Sequence, residues 1–364
     1  MNIILTLRIL GAMLLCLACC LLLPVPCSLY YSDGAVPALL LASLISATCG
    51  GALYHFCRSR RDLALRDGFA VVTFGWTLFA LFGALPFVFS GTIPSLVDAF
   101  FETMSGFTTT GSTILTDIEA LPESLLLWRS MTQWLGGMGI IVLSLAILPM
   151  LGVGGMQLFK AEVPGPTADR LKPRIQDTAK LLWGVYVLLT VAETILLMGA
   201  GMSFFDAVNH AFTTMATGGF STRNASVAGF ESASIDWIIT LFMFLAGVNF
   251  SLHYLALRGR VMDYLRNEEF RFYLTLTLAA TLIIALFNMP STYPSLLDNL
   301  RYSAFQVVSI MTTTGFGTAD YELWPVLCQY LLIFTMFIGG CAGSTGGGMK
   351  VARILLLFKH AQVQ

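Results

Sequence analysis

Eight long apolar runs constrain this chain more than any other feature. They lie at roughly 4–30, 35–57, 69–90, 126–151, 181–202, 235–257, 270–289 and 325–358. Most are close to the ~20 residues that a helix needs to cross hydrocarbon. In that solvent every backbone N–H and C=O must find its partner within the protein, and a helix does this alone. Charged residues make up 11% and hydrophobic residues 56%, where a soluble domain carries about a quarter charged. The mean hydropathy is +0.78. The expected fold class is therefore all-α and integral to a membrane. A net charge of −1 provides no field for nucleic acid.

The eight cysteines, Cys16, Cys19, Cys20, Cys27, Cys49, Cys57, Cys328 and Cys341, lie in or beside the apolar runs. There they behave as small hydrophobes, and Cys16-x-x-Cys19 has neither a second pair nor a histidine nearby to make a zinc site. The first run has Arg8 before an apolar stretch, as a signal peptide would. No small-residue cleavage site follows in Leu23-Pro24-Val25-Pro26-Cys27, so a retained span is expected.

Orientation follows from the basic residues. Arg8, the loop with Arg58, Arg60, Arg61 and Arg66, and the loop with Lys160, Arg170, Lys172, Arg174 and Lys180 share one side. So do Arg258, Arg260, Arg266, Arg271, Lys350, Arg353 and Lys359; only Arg129, Arg223 and Arg301 fall opposite. The positive-inside bias puts the first group, and the N-terminus, in the cytoplasm.

Between the runs, one short stretch recurs on the outer side. Its copies are Thr108-Thr109-Thr110-Gly111-Ser112, Ala216-Thr217-Gly218-Gly219-Phe220 and Thr312-Thr313-Thr314-Gly315-Phe316. Taking Gly111, Gly218 and Gly315 as equivalent gives spacings of 107 and 97 residues, a period that implies a duplicated structural unit. Each copy follows a segment too short to span: 96–107, Asp206 to Met215 and Arg301 to Met311. A re-entrant helix fits each, its negative C-terminal end favouring a cation. Threonine–glycine loops can turn carbonyls inward, and a ring of them can replace the water around a dehydrated cation. The loops therefore read as walls of a potassium-conducting pore. The chain divides into an N-terminal hairpin (1–62) and three repeats of span, pore loop and span (63–160, 161–262 and 263–364).

The second spans also match one another. Trp134-Leu135-Gly136-Gly137 aligns with Phe244-Leu245-Ala246-Gly247 and Phe337-Ile338-Gly339-Gly340, where small residues let helices approach. Only the third copy runs on into Cys341-Ala342-Gly343-Ser344-Thr345-Gly346-Gly347-Gly348-Met349-Lys350. At about 1 kcal/mol per glycine relative to alanine, such a run does not hold a regular helix. An intramembrane loop beneath the filter is expected there, in a span that the two sister repeats keep continuous. Lys350 either faces the inner pore mouth or snorkels to the cytoplasm.

At FTTTGST, ATGGFST, MTTTGFGTADY and GGCAGSTGGGMK the sequence resembles the Trk/Ktr/HKT superfamily of potassium transporters, the bacterial Trk membrane subunit above all. The resemblance covers nearly the whole chain. It implies four span–loop–span repeats around one pore, a homodimer, and a cytosolic nucleotide-binding subunit that regulates it. It also implies a bacterial inner-membrane location amid lipid, with potassium as transported ion and no resident cofactor. Filter residues would be Thr109, Thr110, Gly111, Thr217, Gly218, Thr313, Thr314 and Gly315. Gate residues would be Gly339, Gly340, Gly343, Ser344, Thr345, Gly346, Gly347, Gly348 and Lys350. Three repeats are present, so a fourth from elsewhere, or a non-conducting truncated subunit, is expected.

Other residues carry two readings each. Glu193 sits mid-span, as a functional acid or as a helix–helix hydrogen-bonding group. Asn249 and His253 lie four apart on one helical face, for a ligand or for interhelical bonding. Asp98, Asp206 and Asp298 read as helix N-caps, with a weak cation-attracting field besides. Asp320-Tyr321 could brace the third filter loop from behind. A coupled transporter with solute at broken helices remains the alternative, though it calls for inverted repeats. An intramembrane enzyme is not expected, because His55, His210, His253 and His360 stand apart and form no His-Glu-x-x-His set.

Overall fold

The computed structural model describes residues 2–57, 65–137, 139, 175–289, 292, 293 and 295–363. The basic loops at 58–64 and 140–174, the second half of the 126–151 run and the proposed boundaries at 62/63 and 160/161 lie outside the described residues. Those residues are helical, joined by loops and two 3₁₀ turns, with one isolated β-bridge. They form two compact units, Met1–Trp183 and Gly184–Gln364.

In the first unit, α1 (Ile3–Leu21) begins at Asn2, whose side chain accepts from the Leu5 N–H. It continues through a short α2 (Val25–Tyr31) and packs along α3 (Val36–Phe56) and α4 (Leu65–Gly83). Gly11 and Gly50 make the α1–α3 crossing possible, since a Cβ on either would lie 2.7–2.8 Å from the other's carbonyl oxygen. In the turn between α2 and α3, Asp33 accepts from the Ser28 hydroxyl, the Ala35 N–H and the Ser124 N–H. Burial pushes its carboxyl up, but these hydrogen bonds outweigh it and hold the group below the usual carboxylate range. After α5 (Leu85–Phe89), the short helix α6 (Leu96–Phe107) packs between α4 and α7 (Glu123–Gly137).

The second unit comprises α8 (Ile175–Gly199) from Gly184 onward, α9 (Phe204–Met215), α10 (Ala233–Ala246), α11 (Phe250–Leu257), α12 (Met262–Arg266), α13 (Glu268–Asn288), α14 (Leu296–Met311), α15 (Val326–Met336) and α16 (Val351–Val363). Its core joins α9, α10 and α14 through Ala207, Ile239, Met243, Phe305 and Val308. Its long helices are inside out relative to a soluble protein. On α13, Leu278, Leu282 and Leu286 are exposed at intervals of four while Tyr273, Thr277, Thr281 and Asn288 are buried. On α8, Val191 and Ile195 are exposed while Tyr186, Thr190 and Glu193 are buried. An apolar outer face with polar groups turned inward is what lipid selects. Among the described residues of the whole chain, five helices are long and apolar enough to cross a membrane, or six if α10 and α11 form one bent span.

That bend overturns one expectation. The second repeat does not keep its span continuous: α10 and α11 meet at 103° across Gly247-Val248-Asn249. The glycine ends one helix, and the asparagine side chain caps the next by accepting from the Ser251 N–H at 2.8 Å. Asn249 is thus an N-cap rather than part of a helical face with His253. His253 Nε2 donates to the Leu245 carbonyl at 2.9 Å, because that oxygen can only accept, and Nδ1 accepts from the Tyr264 hydroxyl. This hydrogen bonding holds the corner together and leaves no ring nitrogen for a ligand. Glu193 lies beside Thr214, at the end of α9.

Candidate functional site: three loops and an intramembrane strap

The three short helices before the threonine–glycine loops start alike. Ser95, Ser203 and Ser295 are the N-caps, each accepting through its hydroxyl from the N–H three residues on, at Asp98, Asp206 and Asp298. The aspartates are therefore not the caps. They occupy the first turn, where a carboxylate opposes the positive helix end. Two of the helices start before the sequence reading placed them, at Phe204 and at Leu296.

They also end alike. The Thr109, Thr217 and Thr313 N–H groups donate to Gly106, Thr214 and Ile310 carbonyls at 2.9–3.0 Å. The next N–H, of Thr110, Gly218 and Thr314, donates to Ser105, Thr213 and Ser309 at 2.8–2.9 Å. In a trans peptide, N–H and C=O point in opposite directions. The carbonyls of Thr109, Thr217 and Thr313 are thereby turned away from the helix end that holds the following N–H. Each of these threonines has positive φ, 55°, 52° and 61°, and so does the glycine two residues later: Gly111 at 80°, Gly219 at 77° and Gly315 at 85°. A β-branched residue with φ > 0 is costly, and its repetition marks a conformation held by its surroundings.

This backbone corrects the register of the second loop. Gly219, not Gly218, is the equivalent of Gly111 and Gly315, and Gly218 stands where the other loops have Thr110 and Thr314. The true spacings are 108 and 96 residues, given positive φ at Gly111, Gly219 and Gly315. Loops 1 and 3 share a hydroxyl pair that loop 2 lacks, Thr108–Thr110 at 2.8 Å and Thr312–Thr314 at 2.7 Å. At the last glycine of loop 2 the backbones come close: a Cβ on Gly219 would lie 2.0 Å from the Thr314 carbonyl oxygen. Loops 2 and 3 are thus direct neighbours.

Behind each loop a buried polar side chain ties the pore helix to the limb that follows the glycine. In loop 1, Glu102 accepts from the Thr113 hydroxyl at 2.9 Å and the Ile114 N–H at 3.0 Å, and is paired with Arg129 Nε at 2.7 Å. In loop 2, His210 Nδ1 donates to the Asp206 carbonyl at 2.8 Å, so Nε2 is the acceptor for the Ser221 hydroxyl at 3.0 Å. In loop 3, Gln306 Nε2 donates to the Ala319 carbonyl at 3.2 Å. Asp320 does not brace this loop from behind. Its side chain caps the 3₁₀ turn Tyr321–Leu323 by accepting from the Glu322 N–H. The three basic residues that depart from the cytoplasmic bias each meet a pore-helix acid: Arg129 with Glu102, Arg223 with Asp206 at 3.8 Å, and Arg301 with Asp298 at 3.0 Å. Sequence reading missed these pairs; three lone arginines, one per repeat, were the available signal.

The glycine-rich stretch is a strap against loops 2 and 3. It folds on itself through Gly339 N–H to Met349 carbonyl at 2.9 Å and Val351 N–H to Gly340 carbonyl at 3.2 Å. The Gly347 N–H donates to the Thr313 hydroxyl at 2.7 Å, and the Thr345 hydroxyl donates to the Met215 carbonyl at 3.0 Å. Cys341 N–H donates to Gly247 carbonyl at 2.8 Å, and Phe250 N–H donates to Gly343 carbonyl at 3.0 Å, so the strap seats in the α10–α11 corner. Glu269 Oε1 accepts from Ala342 N–H at 2.6 Å and Ala352 N–H at 3.2 Å. Ser344 turns its hydroxyl onto the Cys341 carbonyl at 2.6 Å, and half-buried Lys350 donates to the Gly346 carbonyl. The glycine Gly136 packs as expected: its Cβ would lie 2.0 Å from the Phe107 carbonyl oxygen. Among the described residues no group of three or more His, Cys, Asp or Glu is placed to hold a metal ion.

Comparison with known proteins adds a family. The model of the TrkH family, described as a cation transport protein, matches residues 36–364. A Trk system potassium uptake protein TrkH of Salmonella typhimurium is 48% identical over 362 residues, 97% of this chain and 74% of that protein. The Trk system potassium uptake protein TrkG of Escherichia coli K12 is 35% identical over 93% of this chain and 71% of its own length. The crystal structure of the potassium transporter TrkH from Vibrio parahaemolyticus superposes with a TM-score of 0.87 at 40% identity, covering 98% of this chain and 75% of that one.

Proposed function

This chain belongs to the TrkH family of cation transport proteins, and from that premise we propose that it takes up potassium across a membrane through its threonine–glycine loops. The observation that carries this reading is the backbone repeated in all three loops, with positive φ at a threonine and again at the glycine two residues on. Alternating positive and negative φ brings successive carbonyls toward one side, and carbonyls so aligned can take the place of a cation's water. The coordinating carbonyls in this reading are those of Thr109, Thr110 and Gly111 in the first unit and of Thr217, Gly218, Gly219, Thr313, Thr314 and Gly315 in the second. Each pore helix presents its negative end to the loop that follows it. The names of the relatives, potassium uptake proteins of a Trk system, support potassium as the ion and support further components of that system.

The strap from Gly339 to Lys350 is the gate in this reading, since its hydrogen bonds reach Thr313 in loop 3 and Met215, the last residue of the helix before loop 2. No resident cofactor or catalysis is involved, and potassium is cargo. The protein lies in the bacterial inner membrane with a cytoplasmic N-terminus, works as a homodimer and answers to a cytosolic nucleotide-binding subunit.

The test is a serine at each equivalent glycine, Gly111→Ser, Gly219→Ser and Gly315→Ser, in the transporter as its organism assembles it. Only glycine takes these φ values at no steric cost. The Rb⁺/Na⁺ uptake ratio is expected to fall about tenfold, the ~1.4 kcal/mol typical of a strained site. An unchanged ratio at Gly315, where nothing lies within 4 Å of an added Cβ, would sink the filter reading.

A further inference from the structure

Counted back from the positive-φ glycine, Glu102, His210 and Gln306 occupy the same position, nine residues before Gly111, Gly219 and Gly315. We propose that this position holds the positioning residue of each filter loop, and that its hydrogen bond to the outgoing limb sets the preference for potassium over sodium. The proposal rests on the filter reading above and goes beyond it, because these side chains bond to the outgoing limb and contribute none of the coordinating carbonyls.

Four observations carry it. Each side chain is buried, at 1%, 0% and 2% exposure for Glu102, His210 and Gln306. Each reaches a group two to four residues past the glycine: Thr113 and Ile114, Ser221, and Ala319. Each sits in the pore helix whose carbonyls already hold the incoming limb, so that the loop is fixed on both sides of its strained residues. The chemistry differs while the geometry persists. Loop 1 uses a carboxylate, loop 2 a neutral imidazole acceptor and loop 3 an amide donor. Groups retained for a common ligand would share chemistry, whereas groups retained for a common distance need only reach. A carbonyl ring that can contract onto a smaller ion loses its discrimination, so a fixed outgoing limb is a selectivity device.

Loop 3 has a second tie, from the Ser309 hydroxyl to the Phe316 carbonyl at 2.7 Å. Loop 2 has one from the Thr222 hydroxyl to Asp206 at 2.6 Å. In loop 1 both named ties, from the Thr113 hydroxyl and the Ile114 N–H, end on the single side chain of Glu102. Its variant should therefore show the largest effect.

In loops 1 and 2 the test removes a partner on the far limb, which spares the buried Glu102–Arg129 pair, whose disruption would threaten folding; in loop 3, where the partner is a backbone carbonyl, it removes the Gln306 amide itself. Thr113→Val, Ser221→Ala and Gln306→Leu are made in the assembled transporter, reconstituted in vesicles, with Rb⁺ and Na⁺ as probes. The Rb⁺/Na⁺ ratio should fall about fivefold in Thr113→Val and about twofold in the others, with maximal Rb⁺ flux kept, as expected for one lost hydrogen bond. Thr113→Ser, which restores the hydroxyl, should return the ratio to the wild-type value. Three variants with the wild-type ratio would overturn the proposal alone, and so would a fall in flux at constant ratio, the mark of a merely structural role. A wild-type transporter without Rb⁺ preference would overturn the filter reading and this proposal with it.

Discussion

Two breaks interrupt helices of the second unit, and they are held in opposite ways. The break at Gly247-Val248-Asn249 is short and largely closes its own ends. Gly247 and Val248 N–H groups still bond back to Met243 and Leu245, and Asn249 caps the next helix. The break between Met336 and Val351 is long; its internal bonds close its base, around Gly339, Gly340 and Met349, and turn Ser344 onto Cys341 and Lys350 onto Gly346. The rest takes its partners from Met215, Thr313, Glu269 and the short break. The short break is a fixed corner, set by a breaker followed by a capping residue. The long one keeps its shape only while four other segments keep theirs. Intramembrane backbone is tolerated where protein surrounds it, and a segment satisfied in large part by neighbours rearranges when they do. That dependence is the physical basis for reading the long break, and not the short one, as the gate.

The largest effect expected from this contrast is at Gly339. A Cβ there would lie 1.8 Å from the Gly347 carbonyl oxygen and 2.8 Å from its carbon, both backbone. Gly339→Ala should cost ~3 kcal/mol or more and be seen as lost thermal stability in detergent. Gly247→Ala is the control, since the nearest atom there is the Tyr273 hydroxyl at 2.4 Å, at the tip of a side chain. If the two alanines cost the same, the long break is no more tightly closed at its base than the short one.

Glu269 sharpens the comparison at intermediate size. Its one oxygen accepts from both Ala342 and Ala352, and Glu269→Gln keeps an acceptor while removing the charge. A loss of ~1–2 kcal/mol is expected for charge-assisted bonds. Hydrogen exchange at Ala342 and Ala352 should quicken about tenfold, and resting Rb⁺ flux should rise. Faster exchange at the α10–α11 corner, with the strap unaffected, would reverse the assignment of fixed and movable breaks.

The smallest effect belongs to the corner. Asn249→Ala removes a cap worth ~1 kcal/mol. Asn249→Ser should recover most of the loss, measured by thermal unfolding, and Rb⁺ flux should change little in either. A large flux change in both variants would show that the corner itself gates.

Local chemistry made much of this legible in advance. The helix at 96–107 could be read because its length and flanks decide it, and the strap because glycine at that density cannot hold a helix. The spans followed from apolar length, which acts wherever the residues end up. The start of each pore helix was readable too, since Ser-x-x-Asp recurs at Ser95, Ser203 and Ser295, but the acidic residues drew the assignment. The short break also had its signal in Gly247 and Asn249, overridden by an apolar run that looked unbroken. Other features were beyond local reading. Two adjacent glycines in loop 2 leave its register open, and it is decided by which N–H returns to the helix end and by the closeness of Thr314. Glu102 finds Arg129 across 27 residues, and Thr345 finds Met215 across 130. The sequence alone determined the helices, the solvent they face and the places where the backbone must depart from a helix, because those depend on a residue and its near neighbours. Tertiary structure alone decided which buried groups satisfy the departures, because a partner for an exposed carbonyl or a buried charge is chosen by proximity in space, and no spacing along the chain encodes it.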